Sequence, residues 1–347
     1  MRISILHCCL LSLGLTLLPA LHAQNAPDYK SNPKFQSSIA EAKKLKQERQ
    51  VLFAIEAYKK ANKIAEGKDV DCLTEIYTLQ ISVGSYKDAA VTATSLIAVA
   101  TAPLLKSRAE ANRGYALYLQ AGDKNKSDLN AADVVLKAAI ADDPKNATAL
   151  YLDGQVLARL GQMDAAREQF KACVSCVNPN DPSYLRARHF AEDPSLSLHK
   201  MAPAFVVTSL DGSKFNLDAM GGRVVLIDFW ATWCGPCNEE LPHMKKIARE
   251  FTGQPLVIIS VSWDSDETKW KDFINKNEMT WVQYRDADHS LSKKFGVEAI
   301  PHYFTIDSDG VLTAEMMGSG SDVESKLKKL IAKAKAVAPP SVNQVGN

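Results

Sequence analysis

The spacing of apolar and polar residues changes character near residue 200. Between about 37 and 177, alanines and larger apolar residues recur three and four apart, and no strand-like run interrupts them. That spacing predicts an all-α region. From 199 onward, short β-branched runs alternate with amphipathic stretches, which predicts strands and helices laid around one sheet. A hairpin is expected from Phe205–Leu210 and Lys214–Leu217 about Asp211-Gly212. Central strands are expected at Val224–Trp230 and Pro255–Trp263, with further strands at Trp281–Arg285, from Pro301 to Ile306, and at Val311–Met316. Helices are expected from Cys234 to about Phe251, and at Asp266–Asn277, Ser290–Phe295 and Ser321–Ala336. Four prolines (179, 182, 194, 203) punctuate residues 178–203, which read as a connector with its linker proper at 178–198, and a short helix is expected around Tyr184 to Ala191. Polar residues 24–36 and the tail at 338–347 are expected to lack regular structure.

The first 23 residues read as a targeting segment. Arg2 precedes an apolar run from Ile3 to Leu18, and Pro19-Ala-Leu-His-Ala23 ends on a small residue suited to cleavage. An uncleaved anchor is the alternative, but the run is short for a membrane span. The expected product is periplasmic or secreted, in a compartment that permits disulfides. Of seven cysteines, removal of Cys8 and Cys9 leaves Cys72, Cys173, Cys176, Cys234 and Cys237, so at least one stays outside any internal pairing. The net charge of +1 gives no reason to expect nucleic acid or an acidic membrane surface as partner.

Within the helical region a period of 34 is visible. Leu150, Gly154 and Leu157 on one helix, Gly161 at a turn, and Ala166, Phe170 and Cys173 on the next make the clearest unit. One period earlier, Ala132, Leu136, Ala139 and Pro144 fall in register, with Gly114 as the matching small residue if about six residues are inserted near 122–128. Gly84-Ser-Tyr-Lys-Asp-Ala89 looks like another turn, and Ala54, Tyr58 and Ala61 like an earlier second helix. Small residues let paired helices approach and large ones fill the groove between them. The pattern resembles three to four degenerate tetratricopeptide repeats, which implies a surface for an unidentified protein or peptide partner. A non-repeating bundle is the alternative.

The chemistry concentrates at 223–242. A buried strand turns through Cys234-Gly235-Pro236-Cys237 into a helix, so Cys234 sits at a helix N-terminus. That position favours the thiolate, the nucleophilic form. Cys237, one turn on, can close a disulfide with it or open to a dithiol, and the pair reads as a thiol–disulfide exchange site. A structural disulfide or half of a zinc site is the alternative, although no further ligands follow at workable spacing. Asp228 interrupts the apolar strand, and burial should raise its pKa unless it reaches solvent at the strand end. No metal or cofactor set is legible, and His199, His243, His289 and His302 read as surface or packing residues.

Trp233-Cys-Gly-Pro-Cys237 after a buried strand resembles the active site of thioredoxin. Its surroundings resemble the exported TlpA/ResA type of thioredoxin-like protein: Met201-Ala-Pro-Ala-Phe205, Leu210-Asp-Gly212, Phe229-Trp-Ala-Thr-Trp233, Glu240-Leu-Pro242 and Ile300-Pro301. The resemblance covers residues 199–337. It implies an α/β thioredoxin fold after the all-α helical repeat domain of 37–177. It also implies an acid at 228 that assists proton transfer at the second cysteine, and a cis-proline at 301 beside the pair with Ile300 as an apolar wall. Glu240 would then tune the cysteines, unless it is an ordinary first-turn acid. Trp233 is expected to flank an exposed sulfur and, with Gly235 and Pro236, to meet substrate, while Trp230 is either core or site. Cys173 and Cys176 form a second C-x-x-C, read as packing thiols, a structural disulfide or an accessory redox pair. Cys72 reads as a buried, inert thiol.

The Gly-Pro dipeptide is that of thioredoxin, which is strongly reducing at roughly −270 mV. The resemblance therefore implies an exported reductase of protein disulfides, as in the reductive arm of cytochrome c maturation, fed by a membrane thiol electron donor. The alternatives are a repeat-based adaptor that uses the thioredoxin fold for recognition only, and a thiol peroxidase. The second lacks the Thr or Ser expected three residues before its reactive cysteine, where Ala231 stands.

Overall fold

The computed structural model describes residues 28–122 and 125–334, so the targeting segment at 1–23 and the tail at 338–347 lie outside the described residues. The chain divides into two compact units, the first running to Asn178 and taking in Ala187–Leu198, the second combining Pro179–Arg186 with residues from His199 onward.

The first unit is all helix: α1 (Pro33–Gln47), α2 (Val51–Ile64), α3 (Val70–Ser82), α4 (Tyr86–Val99), α5 (Pro103–Ala121), α6 (Lys126–Asp142), α7 (Ala147–Arg159) and α8 (Met163–Cys176). Each packs on its neighbour in chain order, a sequence consistent with a repeat domain. The small-against-large rule is visible in atoms. A Cβ added to Gly154 would lie 2.7 Å from the Phe170 ring, and one added to Gly114 would lie 2.5 Å from the Leu136 side chain. Both large residues are fully buried. Gly84 and Gly161 take positive φ at the helix ends, 77° and 80°, as the tight turns require. The six extra residues between Gly114 and Leu136 are spread over the end of α5, the turn and the first turn of α6.

One expectation is corrected here. Residues 28–36 are ordered, with a 3-10 turn at Asp28–Ser31 and then the start of α1. Asn32 caps α1 by accepting from the Lys34 N–H at 2.9 Å, Pro33 takes the first turn, and Phe35 is buried. The connector is also mostly helical, as α9 (Pro182–Glu192) and a 3-10 segment at Pro194–Leu198. Arg186 on α9 is held by Asp218 at 2.6 Å and by the Ala202 carbonyl at 2.9 Å, all within the second unit.

In the second unit, β1 (Val206–Thr208) and β2 (Lys214–Asn216) form a small antiparallel sheet. The remaining elements are β3 (Val224–Trp230), α10 (Gly235–Glu250), β4 (Leu256–Ser262), α11 (Glu267–Lys276), β5 (Val282–Arg285), α12 (Ser290–Phe295), β6 (His302–Ile306), β7 (Leu312–Met317) and α13 (Val323–Lys333). The sheet order is β5-β4-β3-β6-β7, with β3, β4 and β5 parallel and β6 and β7 antiparallel. This is the thioredoxin fold. β3 lies in the middle, buried at every residue, which explains its apolar run and makes Asp228, the one charged residue in it, stand out. Its odd positions, Val225, Ile227 and Phe229, pack with Phe205, Phe215 and Phe295. Val224 and Leu226 pack instead with Met244 and Ile247 of α10 and Leu327 of α13.

The Gly154–Phe170 contact decides the sign of a substitution. Helix propensity alone would make Gly154→Ala stabilising by about 1 kcal/mol, whereas the clash with Phe170 should make it destabilising by about 1–3 kcal/mol. Denaturation followed by far-ultraviolet circular dichroism measures this. Gly154→Ala combined with Phe170→Leu should lose less than the two single changes added together.

Candidate active site

β3 delivers the site. Side chains alternate along a strand, so Asp228 shares the α10 face with Leu226 before it and Trp230 after it. Leu226 packs under Met244 and Ile247, and Trp230 packs with both cysteines. Asp228 therefore sits beneath the first turns of α10.

Past Trp230 the chain is pinned before it reaches the first cysteine. Buried Asp264 accepts from the Thr232 N–H at 2.9 Å and from its hydroxyl at 2.5 Å, and the Asn238 side-chain amide donates to the Thr232 carbonyl at 3.0 Å. Cys234 is then the N-cap of α10, with extended φ and ψ of −83° and 106°. Its Sγ accepts from the Cys237 N–H at 3.2 Å. The two sulfurs are bonded, with their Cα atoms 5.2 Å apart. When the bond is reduced, the same N–H and the helix terminus remain to stabilise a thiolate on Cys234.

The sulfur is more covered than expected. Cys234 is 6% exposed, whereas the Trp233 ring beside it is 64% exposed. Gly235 and Pro236 are exposed, and a Cβ added to Gly235 would meet nothing within 4 Å, so open space lies beside the pair. Trp230 is core, tilted against Phe273 at 5.4 Å between ring centroids.

Asp228 is buried and its carboxyl is pushed up to about 7, chiefly by desolvation, with a further rise from the negative charge of Glu240. The Ser260 hydroxyl, donating to its Oδ2 at 2.9 Å, draws it down. Glu240 accepts from the Gly320 N–H at 2.6 Å through one oxygen and meets His243 Nδ1 at 3.2 Å through the other. It thus ties α10 to the loop after β7. The same loop reaches the Ile300-Pro301 segment, where Gly318 N–H donates to the Pro301 carbonyl at 2.9 Å. The Ile300–Pro301 peptide is cis, and Ile300 packs in the cluster that holds both cysteines.

The other cysteines belong to the helical unit. Cys173 and Cys176 are both thiols near the end of α8. Cys173 is buried, hydrogen-bonded to the Ala147 carbonyl at 3.4 Å, and burial pushes its pKa up to about 12. Cys72 is buried, and burial pushes its thiol up as well. His302 pairs with Glu315 at 3.1 Å and His289 packs edge-on against Trp263. Asp264, Ser260 and Gly320 were not singled out in the sequence, since nothing in local spacing marks a partner that is distant along the chain.

The Redoxin family model matches residues 198–331. Over 144 residues the chain is 31% identical to the thiol-disulfide oxidoreductase ResA of Bacillus cereus, covering 41% of this chain and 83% of that protein. It is 32% identical over 143 residues to the protein of the same name from Bacillus anthracis, with the same 41% and 83% coverage. Among solved structures, a thiol-disulfide oxidoreductase from Bacteroides fragilis is 26% identical, covers 38% of this chain and 99% of its own, and superposes with a TM-score of 0.35.

The buried carboxyl makes a signed prediction. Between an unfolded value near 3.8 and a folded value of about 7, the folded protein binds more protons than the unfolded one. Stability should therefore fall as pH rises through that window. Asp228→Asn should remove this slope and stabilise the protein at pH 8 by a few kcal/mol at most, on the order of 1.4 kcal/mol per unit. The gain should vanish toward pH 4. Denaturation midpoints of both proteins across pH 4–8 would check it.

Proposed function

The chain belongs to the ResA-type thiol-disulfide oxidoreductases, and on that premise we propose that it is an exported reductase of protein disulfides acting through a Cys234/Cys237 dithiol. The observation that carries this reading is the Cys234 Sγ held as the cap of α10, with the Cys237 N–H directed at it from 3.2 Å.

In the proposed cycle the Cys234 thiolate attacks one sulfur of a substrate disulfide. The substrate S–S bond breaks, a Cys234–substrate S–S bond forms, and the departing thiolate takes a proton from solvent. Asp228, as carboxylate, accepts the proton of the Cys237 thiol. Its value of about 7 suits a base that works near neutral pH. The Cys237 sulfur then attacks Cys234 Sγ, the mixed disulfide breaks, and the second substrate thiolate leaves and is protonated. Two electrons have passed to the substrate, and the enzyme is left as the Cys234–Cys237 disulfide. A dithiol donor at the membrane would return it to the dithiol form.

The cis-proline segment suits an extended substrate strand, with Ile300, Trp233, Gly235 and Pro236 as contacts. Glu240 tunes the pair through its charge on Asp228. The reducing direction rests on the Gly-Pro dipeptide, and periplasmic or secreted placement on residues 1–23. The helical unit is assigned a protein or peptide partner, and the reductive arm of cytochrome c maturation is a setting that fits these features.

The test is capture. Cys237→Ser should accumulate a mixed disulfide through Cys234 with its target protein, released by dithiothreitol, while Cys234→Ser should capture nothing. Equal capture by both variants would contradict the assignment. Equilibration with glutathione buffers should give a potential near −270 mV, and one near −120 mV would reverse the direction.

A further inference from the structure

The proton on a buried carboxyl has two oxygens to choose from, and the surroundings of Asp228 distinguish them. Asp228 and Ser260 stand opposite each other in the β3–β4 register, and Ser260 Oγ donates to Asp228 Oδ2 at 2.9 Å. Ser260 is fully buried. A hydroxyl has one hydrogen to give and can turn it in several directions. Here a second bond removes that freedom. The indole N–H of Trp281, a group that only donates, points at Ser260 Oγ from 2.8 Å. With a lone pair occupied by the indole, the hydroxyl hydrogen is left for Asp228. Trp281 itself packs in the cluster that contains Cys234, Cys237 and Ile300.

We propose that Ser260, oriented by Trp281, is a positioning residue for the proton transfer between Cys237 and Asp228. It keeps Oδ2 occupied as an acceptor, so that the exchanged proton is carried on Oδ1, and it favours the carboxylate that the step consumes. The inference rests on the reading of Asp228 as the base for Cys237.

The other titratable groups facing Asp228 do not supply this. Glu240 on α10 adds negative charge and raises the carboxyl. Tyr303, opposite Asp228 on β6, has its hydroxyl pushed up by burial and so stays neutral. Trp230, the next residue on the Asp228 face of β3, packs in the cluster that holds the two cysteines of the site. Among the described residues Asp228 forms no ion pair. A hydrogen bond from a neutral hydroxyl therefore stands where a cation could have served.

The reduced full-length protein carrying Cys176→Ser, which removes the partly exposed thiol of α8, separates the steps when mixed with Ellman's disulfide reagent, and serves as the wild-type background below. The first aryl thiolate is released by attack of Cys234, and the second when Cys237 resolves the mixed disulfide. The pH profile of the second phase should show an inflection near 7 in the wild type. Ser260→Ala should move that inflection upward by about one to two units, slowing the second phase at pH 7 by about 5- to 50-fold. The first phase should be unchanged. Trp281→Phe should shift the inflection in the same direction by less, and Ser260→Thr should restore it. Asp228→Asn should abolish the inflection, and Ser260→Ala should then add nothing. An unshifted inflection in Ser260→Ala overturns the proposal while leaving the base assignment standing. A wild-type profile in Asp228→Asn overturns the base assignment itself. Should Ser260→Ala fail to fold, an unshifted inflection in Trp281→Phe overturns the proposal.

Discussion

A thiolate needs donors, and the end of a helix has them to spare. The first backbone N–H groups of α10 have no partners within the helix, and the sulfur of Cys234 takes the one that Cys237 offers, at 3.2 Å. The rest of the unit serves this contact. β3 must be central and buried to launch the turn from a fixed point, and α10 must lie across the sheet on Met244 and Ile247 to aim its terminus. Asp264 must hold Thr232 so that the turn does not wander.

Burial of a carboxyl under that helix is the second constraint. A charge placed among Leu226, Trp230 and Tyr303 is unfavourable, and the protein moderates the cost with hydrogen bonds instead of a countercharge. The result is an acid that changes protonation near neutral pH, where a base for a thiol is useful. The same surroundings that make Asp228 anomalous as a core residue make it serviceable in exchange chemistry.

Much of this was legible along the chain because the signals are local. The β3 strand is bounded as its apolar run suggests, and α10 starts where the Gly-Pro pair opens a helix. The Gly154–Phe170 and Gly114–Leu136 packing is written in a 34-residue spacing of the large residues, with the glycines set further apart by the insertion between Gly114 and Leu136. What was missed is of two kinds. The early start of α1 was signalled by Asn32 and Pro33, but the polar composition around them outweighed the cap. Ser260, Trp281, Asp264 and Gly320 carried no signal, because each matters through a partner 21 to 80 residues away in sequence. The burial of Cys234 was likewise invisible, since it belongs to a cluster that includes Trp270, Ile274 and Met279, all more than 30 residues away in sequence.

The central claim is that the fold holds one sulfur ready as an anion. Residue-specific alkylation of reduced protein by iodoacetamide, read by mass spectrometry at Cys234 across pH 4–10, tests it most directly. An apparent pKa at or below about 7.5 is predicted for a thiol at such a helix terminus. A value at about 8.5 or above, the range of free cysteine, would contradict it.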